Sequence, residues 1–440
     1  MEDLAGYKGG SLNFLKKARA SIGDVLEVET SWGVVSGTLV PRYVYGDGDH
    51  VVLKLHSGYN VGLDVSGLKS ARVKAKGEKP SFSVSPPPRP SKGLPRVLII
   101  GTGGTIASRI DYRTGAVHPA VSSADLHSLV PELSGVAKVQ PEILFNVFSE
   151  NVRPSHWTKI AQRVRKAVEE GSDGVVITHG TDTLGYTAAA LSFALQGVPV
   201  PVILVGAQRS SDRPSSDGPI NLIAGVSAAG TAGFAGVYVA MHLGESDDKV
   251  ALHRGTRVRK NHTSRRDAFV SVGVPLAAVW GKSGSEYVSE DLPKRGSASF
   301  APRTKFEEKV ALMKFYPSMP ASLIKAVRKL GTRGMVIEGT GLGHVSKGVV
   351  KELGLFIDAG GLACMTSQCI GGRVDLNVYD TGRDLLHAGV LPLDDMLGET
   401  ALVKVMWVLG NSHSLGKAKE MMVANLAGET TSRSFPGEPL

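Results

Sequence analysis

Cysteine is scarce in this 440-residue chain: there are two, Cys364 and Cys369. Their spacing is neither C-x-x-C nor a zinc-ligand pattern. That excludes a disulfide framework and a cysteine-built zinc site, and leaves two reduced thiols of a cytosolic type. Long hydrophobic runs are absent as well. The longest uncharged stretch, around Ala224–Met241, is dominated by Gly, Ala, Ser and Thr, and reads as a packed helix followed by a strand rather than a membrane span. The opening residues, MEDLAGYKGG, hold no apolar segment of a secretion signal. These absences predict a cytoplasmic protein. No internal repeat occurs, and no low-complexity tract beyond one proline-rich spacer.

What is present is ordinary for a globular chain: 42% hydrophobic and 21% charged residues. The length suits two or three domains. A formal net charge of +9 is compatible with a phosphate-bearing partner, but over this length solubility alone accounts for it.

The pattern changes along the chain. Residues 1–20 read as an N-terminal tail, with Leu12, Phe14, Leu15 and Ala18 on one weak helical face. Residues 21–75 carry short apolar runs separated by Gly and Asp, with a hairpin signal at Asp47-Gly48, and predict a small SH3-like β-barrel. Residues 76–94, rich in Pro and Ser, predict an extended linker. From residue 95 to 285 the pattern is α/β. Val97-Leu98-Ile99-Ile100 predicts a buried parallel strand. Trp157, Ile160, Ala161, Val164, Ala167 and Val168 predict one face of a helix ending at Gly171. Further strands are expected at Gly174–Ile177 and Pro201–Val205, with a helix between them. A polar linker over 286–325 and a second α/β domain over 326–440 complete the expected division.

Two predicted strands end in hydroxyl-rich turns: Gly101-Thr102-Gly103-Gly104-Thr105-Ile106-Ala107 and Thr178-His179-Gly180-Thr181-Asp182-Thr183. Ligands bind outside the carboxyl ends of strands in open parallel sheets, and glycines let a ligand approach the backbone. A dinucleotide fingerprint would need its third glycine where Ile106 stands, and no G-K-[ST] follows for a P-loop. A single Gly-rich turn is commonly only a tight connection; two with hydroxyls favour chemistry. A threonine nucleophile needs a base, and a lysine of lowered pKa could serve, but spacing alone does not say which. Other segments have plainer readings. The basic run around Lys260 (Arg254, Arg257, Arg259, Arg265, Arg266) resembles a solvated face. His179 reads as a turn residue, since a metal site needs more ligands. Gly339–His344 reads as a tight turn, and Tyr112 could be an ordinary exposed aromatic.

The two turns resemble the signature segments of the bacterial-type L-asparaginase/glutaminase family. Val205-Gly206-Ala207-Gln208-Arg209 and Ser216–Leu222 are also similar to family segments, and the resemblance runs from Arg96 to the C-terminus. It implies a two-domain core with parallel sheets and the following roles. Thr102 is the nucleophile, Tyr112 belongs to a lid over the substrate, and Thr181, Asp182 and Lys260 form an activating triad. Ser149 and Glu150 hold the substrate's α-carboxylate and amine; many simple asparaginases have Gln in place of Glu150. No cofactor or metal is implied for this chain.

Barrel, proline spacer and asparaginase-like core together resemble the D subunit family of archaeal glutamyl-tRNA(Gln) amidotransferases. That resemblance implies release of ammonia from glutamine or asparagine. It also implies a partner, the E subunit of the amidotransferase, which uses ATP and magnesium to convert glutamyl-tRNA(Gln) to glutaminyl-tRNA(Gln). The expected assembly is a homodimer core within a heterotetramer, touching tRNA(Gln) through the complex, with the second domain helping to complete a neighbouring site. Two other readings remain at this point: a stand-alone cytosolic L-asparaginase with an accessory barrel, and a noncatalytic RNA-assembly scaffold.

Overall fold

The structure, a computed structural model, describes residues 4, 6–42, 46–56, 60–77, 93–103, 108–110, 117–119, 130–209, 215–281, 284–296 and 300–434. Its N-terminal unit begins with helix α1 (Gly9–Lys17) and continues through strands β1 (Val25–Thr30), β2 (Gly33–Leu39), β3 (His50–Lys54), β4 (Asn60–Asp64) and β5 (Leu68–Ala75). The strands form one antiparallel sheet in the order β4-β3-β2-β1-β5, with a single 3-10 turn, Val65–Gly67, between β4 and β5. Alternate residues Leu26, Val28, Val51 and Leu53 are buried, as a period of two requires for a half-buried strand. Residues 6–20, within the expected tail, pack against this sheet. Leu15 of α1 is fully buried, and Tyr7 and Ala20 join it in the same apolar cluster as the strands. A sheet this small cannot bury its inner face alone, and the helix caps it.

The next unit holds β6 (Arg96–Gly101), the short hairpin β7 (Ser108–Ile110) and β8 (Val117–Pro119), β9 (Lys138–Ile143), α2 (Pro154–Glu169), β10 (Gly174–Thr178), α3 (Leu184–Ala194), β11 (Pro201–Val205), α4 (Gly218–Thr231) and β12 (Gly236–His242). It ends with β13 (Lys249–Arg254), β14 (Val258–Lys260), β15 (Phe269–Ser271), β16 (Ala278–Gly281) and β17 (Gly284–Tyr287). Eight strands make one sheet in the order β17-β16-β13-β12-β11-β10-β6-β9. The five from β9 to β12 are parallel. β10 and β11 are buried along their whole length, which explains their unbroken apolar sequences. The other three strands run antiparallel. The turn from β12 to β13 is too short for a crossover helix, so the chain can only fold straight back.

The last unit carries β18 (Val310–Lys314), α5 (Ser322–Lys329), β19 (Gly334–Gly339), α6 (Lys347–Asp358), β20 (Leu362–Ser367), α7 (Asp380–His387), β21 (Leu391–Pro392), α8 (Gly398–Asn411) and α9 (Leu415–Val423). Its four strands are parallel, in chain order. The segment expected as linker over 286–325 therefore contains a sheet strand: Val310-Ala311-Leu312-Met313 pairs with β19. Helix α8 packs against both α3 and β19, and its Trp407 stacks on Phe193 with ring centroids 5.8 Å apart. One apolar cluster thus runs from the first α/β unit into the second.

Charges are buried where these units meet. Lys404 and Glu429 form an ion pair with both side chains fully buried, and Lys404 Nζ also donates to the carbonyls of Met422 and Ala424. Arg257, 1% exposed, donates to the carbonyls of Val272, Asp395 and Glu429 and to the Asp395 carboxylate. The C-terminal segment after α9 is thereby tied to the strand that carries Lys260.

Candidate active site

Thr102 and Thr181 follow β6 and β10, which lie side by side with Gly101 opposite Thr178. Thr102 and the turn that begins at Thr178 are therefore neighbours at the carboxyl edge of the sheet. Glycines make the close approach possible. Gly103 has φ +123, and a Cβ there would lie 2.1 Å from the Val147 carbonyl oxygen; a side chain is excluded twice over. A Cβ on Gly206, at the end of β11, would sit 2.8 Å from Cγ2 of Thr181.

Lys260 reaches this edge from β14. Its Nζ donates to Thr181 Oγ1 at 3.0 Å and to Asp182 Oδ1 at 2.8 Å. The lysine side chain is mostly buried, whereas Asp182 is open to solvent on its outer side. The basic run that contains Lys260 is not a uniform solvated face. Arg254 pairs with Asp291, Arg259 with Glu399, Arg265 with Asp267 and Arg266 with Asp247. Along β14 successive side chains point to opposite sides, so Arg259 reaches Glu399 while Lys260 reaches Thr181 and Asp182.

Thr102 is 2% exposed. Its hydroxyl donates to the Thr178 carbonyl at 2.8 Å, and that carbonyl also receives the Thr102 N–H. In this arrangement the Thr102 hydroxyl is turned toward the backbone of the adjacent strand rather than toward Lys260. Ser149 is buried in the 3-10 turn Ser149–Asn151, where its carbonyl accepts from Thr183 Oγ1 at 2.7 Å. Glu150, next in that turn, is exposed. Tyr112 lies outside the described residues, between the paired strands β7 and β8.

His179 supports the second turn from inside. It is fully enclosed, and burial pulls its pKa down to about 4. Nδ1 lies 2.7 Å from the Gly180 carbonyl, which can only accept, so Nδ1 carries the proton. Nε2 then accepts from Thr187 Oγ1 at 3.0 Å, and Thr187 Oγ1 accepts from Trp157 Nε1 at 3.0 Å. Every donor in this chain of hydrogen bonds meets an acceptor, with the imidazole neutral. Among the described residues, no group of three or more His, Cys, Asp or Glu side chains could hold a metal ion, and no helix is long and apolar enough to cross a membrane. Cys364 and Cys369 are both free, and burial pushes the Cys364 thiol up to about 12, where it stays unreactive.

Comparison with known proteins assigns the chain. Residues 96–292 match the asparaginase N-terminal family, residues 309–422 the glutaminase/asparaginase C-terminal domain, and residues 20–73 the GatD N-terminal domain. The glutamyl-tRNA(Gln) amidotransferase D subunit of Pyrococcus furiosus is 49% identical over 96% of this chain and 98% of that one. The chain belongs to the glutamyl-tRNA(Gln) amidotransferase D subunit family. The D subunit of Pyrococcus abyssi is likewise 49% identical, over 95% of this chain and 97% of its own length. A solved L-asparaginase from Thermococcus kodakarensis superposes with a TM-score of 0.68 at 34% identity. That enzyme is covered to 99% of its length but accounts for only 76% of this chain. The D subunit relatives thus match this chain nearly end to end, and the asparaginase does not.

Sequence reasoning leaves one polar neighbour of the site without a role. Gln208, just past β11, accepts through Oε1 from Thr181 Oγ1 at 3.2 Å. Its segment shows family likeness, but a carboxamide after an apolar strand carries no signal of its own. Only the approach of Gly206 to Thr181 brings it into place.

Proposed function

We propose that this chain is the ammonia-releasing component of a tRNA-dependent amidotransferase, acting on the side-chain amide of glutamine or asparagine. The observation that carries the reading is the Thr181–Lys260–Asp182 cluster beside the strand end that bears Thr102. Once its side chain turns away from the Thr178 carbonyl, Thr102 Oγ1 attacks the amide carbon, and its proton moves through Thr181 to Lys260 in the uncharged state. The tetrahedral adduct collapses as a proton passes to the amide nitrogen; the C–N bond breaks and ammonia leaves. Water then attacks the Thr102 ester, and the free acid is released. Asp182 orients Lys260 and offsets the charge that it gains. Ser149 and Glu150 lie on the turn held to Thr183, and this supports a role for them in gripping the α-carboxylate and α-ammonium. Tyr112 would close over the substrate.

Ammonia in neutral water is mostly protonated and loses its nucleophilicity. A donor of ammonia therefore works best when sealed against its acceptor. In this proposal the acceptor is the E subunit, which holds ATP, magnesium and glutamyl-tRNA(Gln); a homodimer of this chain forms the core of a heterotetramer. Near-complete coverage by D subunit relatives favours this over a stand-alone asparaginase, since the L-asparaginase neighbour leaves about a quarter of the chain unmatched.

The test is ammonia release from glutamine and asparagine, with the chain alone and with the E subunit and mischarged tRNA. Thr102→Ala and Lys260→Met should each lower the rate by at least about 100-fold, and the partner should raise the wild-type rate. Unchanged ammonia production by Thr102→Ala in the full complex would leave a noncatalytic scaffold as the better reading. Full activity of the lone chain would favour a free asparaginase.

A further inference from the structure

Gln208 is held more firmly than a bystander needs to be. Its backbone N–H and that of Arg209 both donate to the carboxylate of Asp217, at 3.0 and 2.9 Å. Asp217 is fully buried and also accepts from Asn221 Nδ2 at 3.1 Å. Asn221 Nδ2 donates in addition to the Gly206 carbonyl at 3.0 Å, and Asn221 Oδ1 meets His242 Nδ1 at 2.7 Å. This buried net fixes the turn after β11 and aims the carboxamide at Thr181. Only half of that carboxamide is used. Oε1 accepts from Thr181, whereas Nε2 is buried with no hydrogen-bond partner among the described residues. An orphaned buried donor is rare enough to require a reason.

The proton count at Thr181 supplies one. A charged Lys260 has only protons to give, so Thr181 Oγ1 accepts from it and sends its own single proton to Gln208 Oε1. That is the arrangement observed. An uncharged Lys260, the form able to act as base, presents a lone pair. The Thr181 proton then turns to Nζ, and Oγ1 would face Oε1 with lone pairs on both sides. Half a turn of the carboxamide removes the conflict and brings Nε2–H to Oγ1. We propose that Gln208 is a positioning residue that serves Thr181 in both protonation states, offering Oε1 when Lys260 is charged and Nε2–H when it is not. The inference rests on the amidase reading above and deepens it. A residue with only an acceptor, or with neither group, cannot do this.

The experiment measures kcat and KM for glutamine against pH, in the full complex, for wild type, Gln208→Glu, Gln208→Met and Thr102→Ala. The charged groups around the cluster are Lys260, Asp182, the exposed Glu150, Arg209 next in the chain, Arg259 paired to Glu399, and Asp217, whose oxygens hold backbone N–H groups. Gln208→Glu keeps the shape but adds a carboxylate that favours charged Lys260. It should move the acidic limb of the kcat profile up by about one pH unit or more. Gln208→Met should lower kcat about tenfold, with KM within about twofold and the limb in place. A wild-type pH profile and kcat in Gln208→Glu overturns the proposal, as does a loss confined to KM in either variant. If Gln208→Met does not fold, the Gln208→Glu profile still decides. An active Thr102→Ala would sink the amidase reading itself; a dead Thr102→Ala with a wild-type Gln208→Glu sinks this inference alone.

Discussion

Replacing Thr187 by valine tests the buried hydrogen-bond chain behind the second turn. Thr187 is fully buried on α3, and its hydroxyl serves two neighbours, accepting from Trp157 Nε1 and donating to His179 Nε2. Valine has nearly the same shape, so no cavity opens, and its helix propensity is close to that of threonine. The change therefore isolates the hydrogen bonds. It strands one indole N–H and one imidazole nitrogen, each among buried side chains. An unsatisfied buried group costs about 1–3 kcal/mol, so the pair should cost roughly 2–6 kcal/mol. Thr187→Ser restores the hydroxyl and should recover most of the loss. The assay is urea unfolding followed by tryptophan fluorescence and, separately, by far-ultraviolet circular dichroism, since a chain with several units need not unfold in one step. A Thr187→Val protein within about 0.5 kcal/mol of wild type would refute the hydrogen-bond chain from Trp157 through Thr187 to His179. The same variant should also lower amidase activity, because His179 then loses a restraint on the Gly180 carbonyl that precedes Thr181.

Other expectations follow from the same reading of buried groups. His179 and His253 are both enclosed, and burial lowers each to about 4. Unfolded imidazoles take up a proton as pH falls through about 6.5 while the folded ones refuse it, so stability should fall between pH 6.5 and 4 by about 3 kcal/mol for each. His253→Gln should flatten that slope in an unfolding series against pH; an unchanged slope contradicts the assignment. Lys404→Met leaves Glu429 charged and enclosed and should cost about 3–5 kcal/mol, whereas Lys404→Met with Glu429→Gln should recover much of it, as read from denaturant midpoints. Gly206→Ala pushes a methyl group into Thr181 and should lower kcat at least about tenfold while secondary structure by circular dichroism is unchanged; wild-type kcat would mean that the Thr181 position is not critical.

Much of the scaffold could be seen in the residues themselves. β10 and β11 announce themselves because both faces are covered, which leaves both strands almost wholly apolar. Helix α2 shows its buried face as Trp157, Ile160, Ala161, Val164 and Ala167, and Gly171 ends it with φ +77. The failures share a cause. Helix α1 is short and weakly patterned, and its role as a cap depends on a sheet elsewhere in the chain. β18 lies among polar residues and is only partly buried, so its apolar run carried little weight beside the composition around it. The antiparallel edge is set by loop length rather than by strand sequence. At the site, the strand-end threonines were legible as a pattern, and Lys260 only through family likeness. The destinations of Arg257, Lys404 and Glu429 were not legible at all, since nothing local separates a buried charge from an exposed one. Gln208 belongs with them: its meaning lies in a contact between two turns.

The central claim is that Thr102 becomes acylated, and the direct measurement is peptide mapping by mass spectrometry after rapid acid quench of the complex turning over glutamine. A glutamyl ester on the peptide that contains Thr102, absent in Thr102→Ala and accumulating less in Lys260→Met, is the predicted result. An ester on any other residue, or steady ammonia release by Thr102→Ala, would contradict the account.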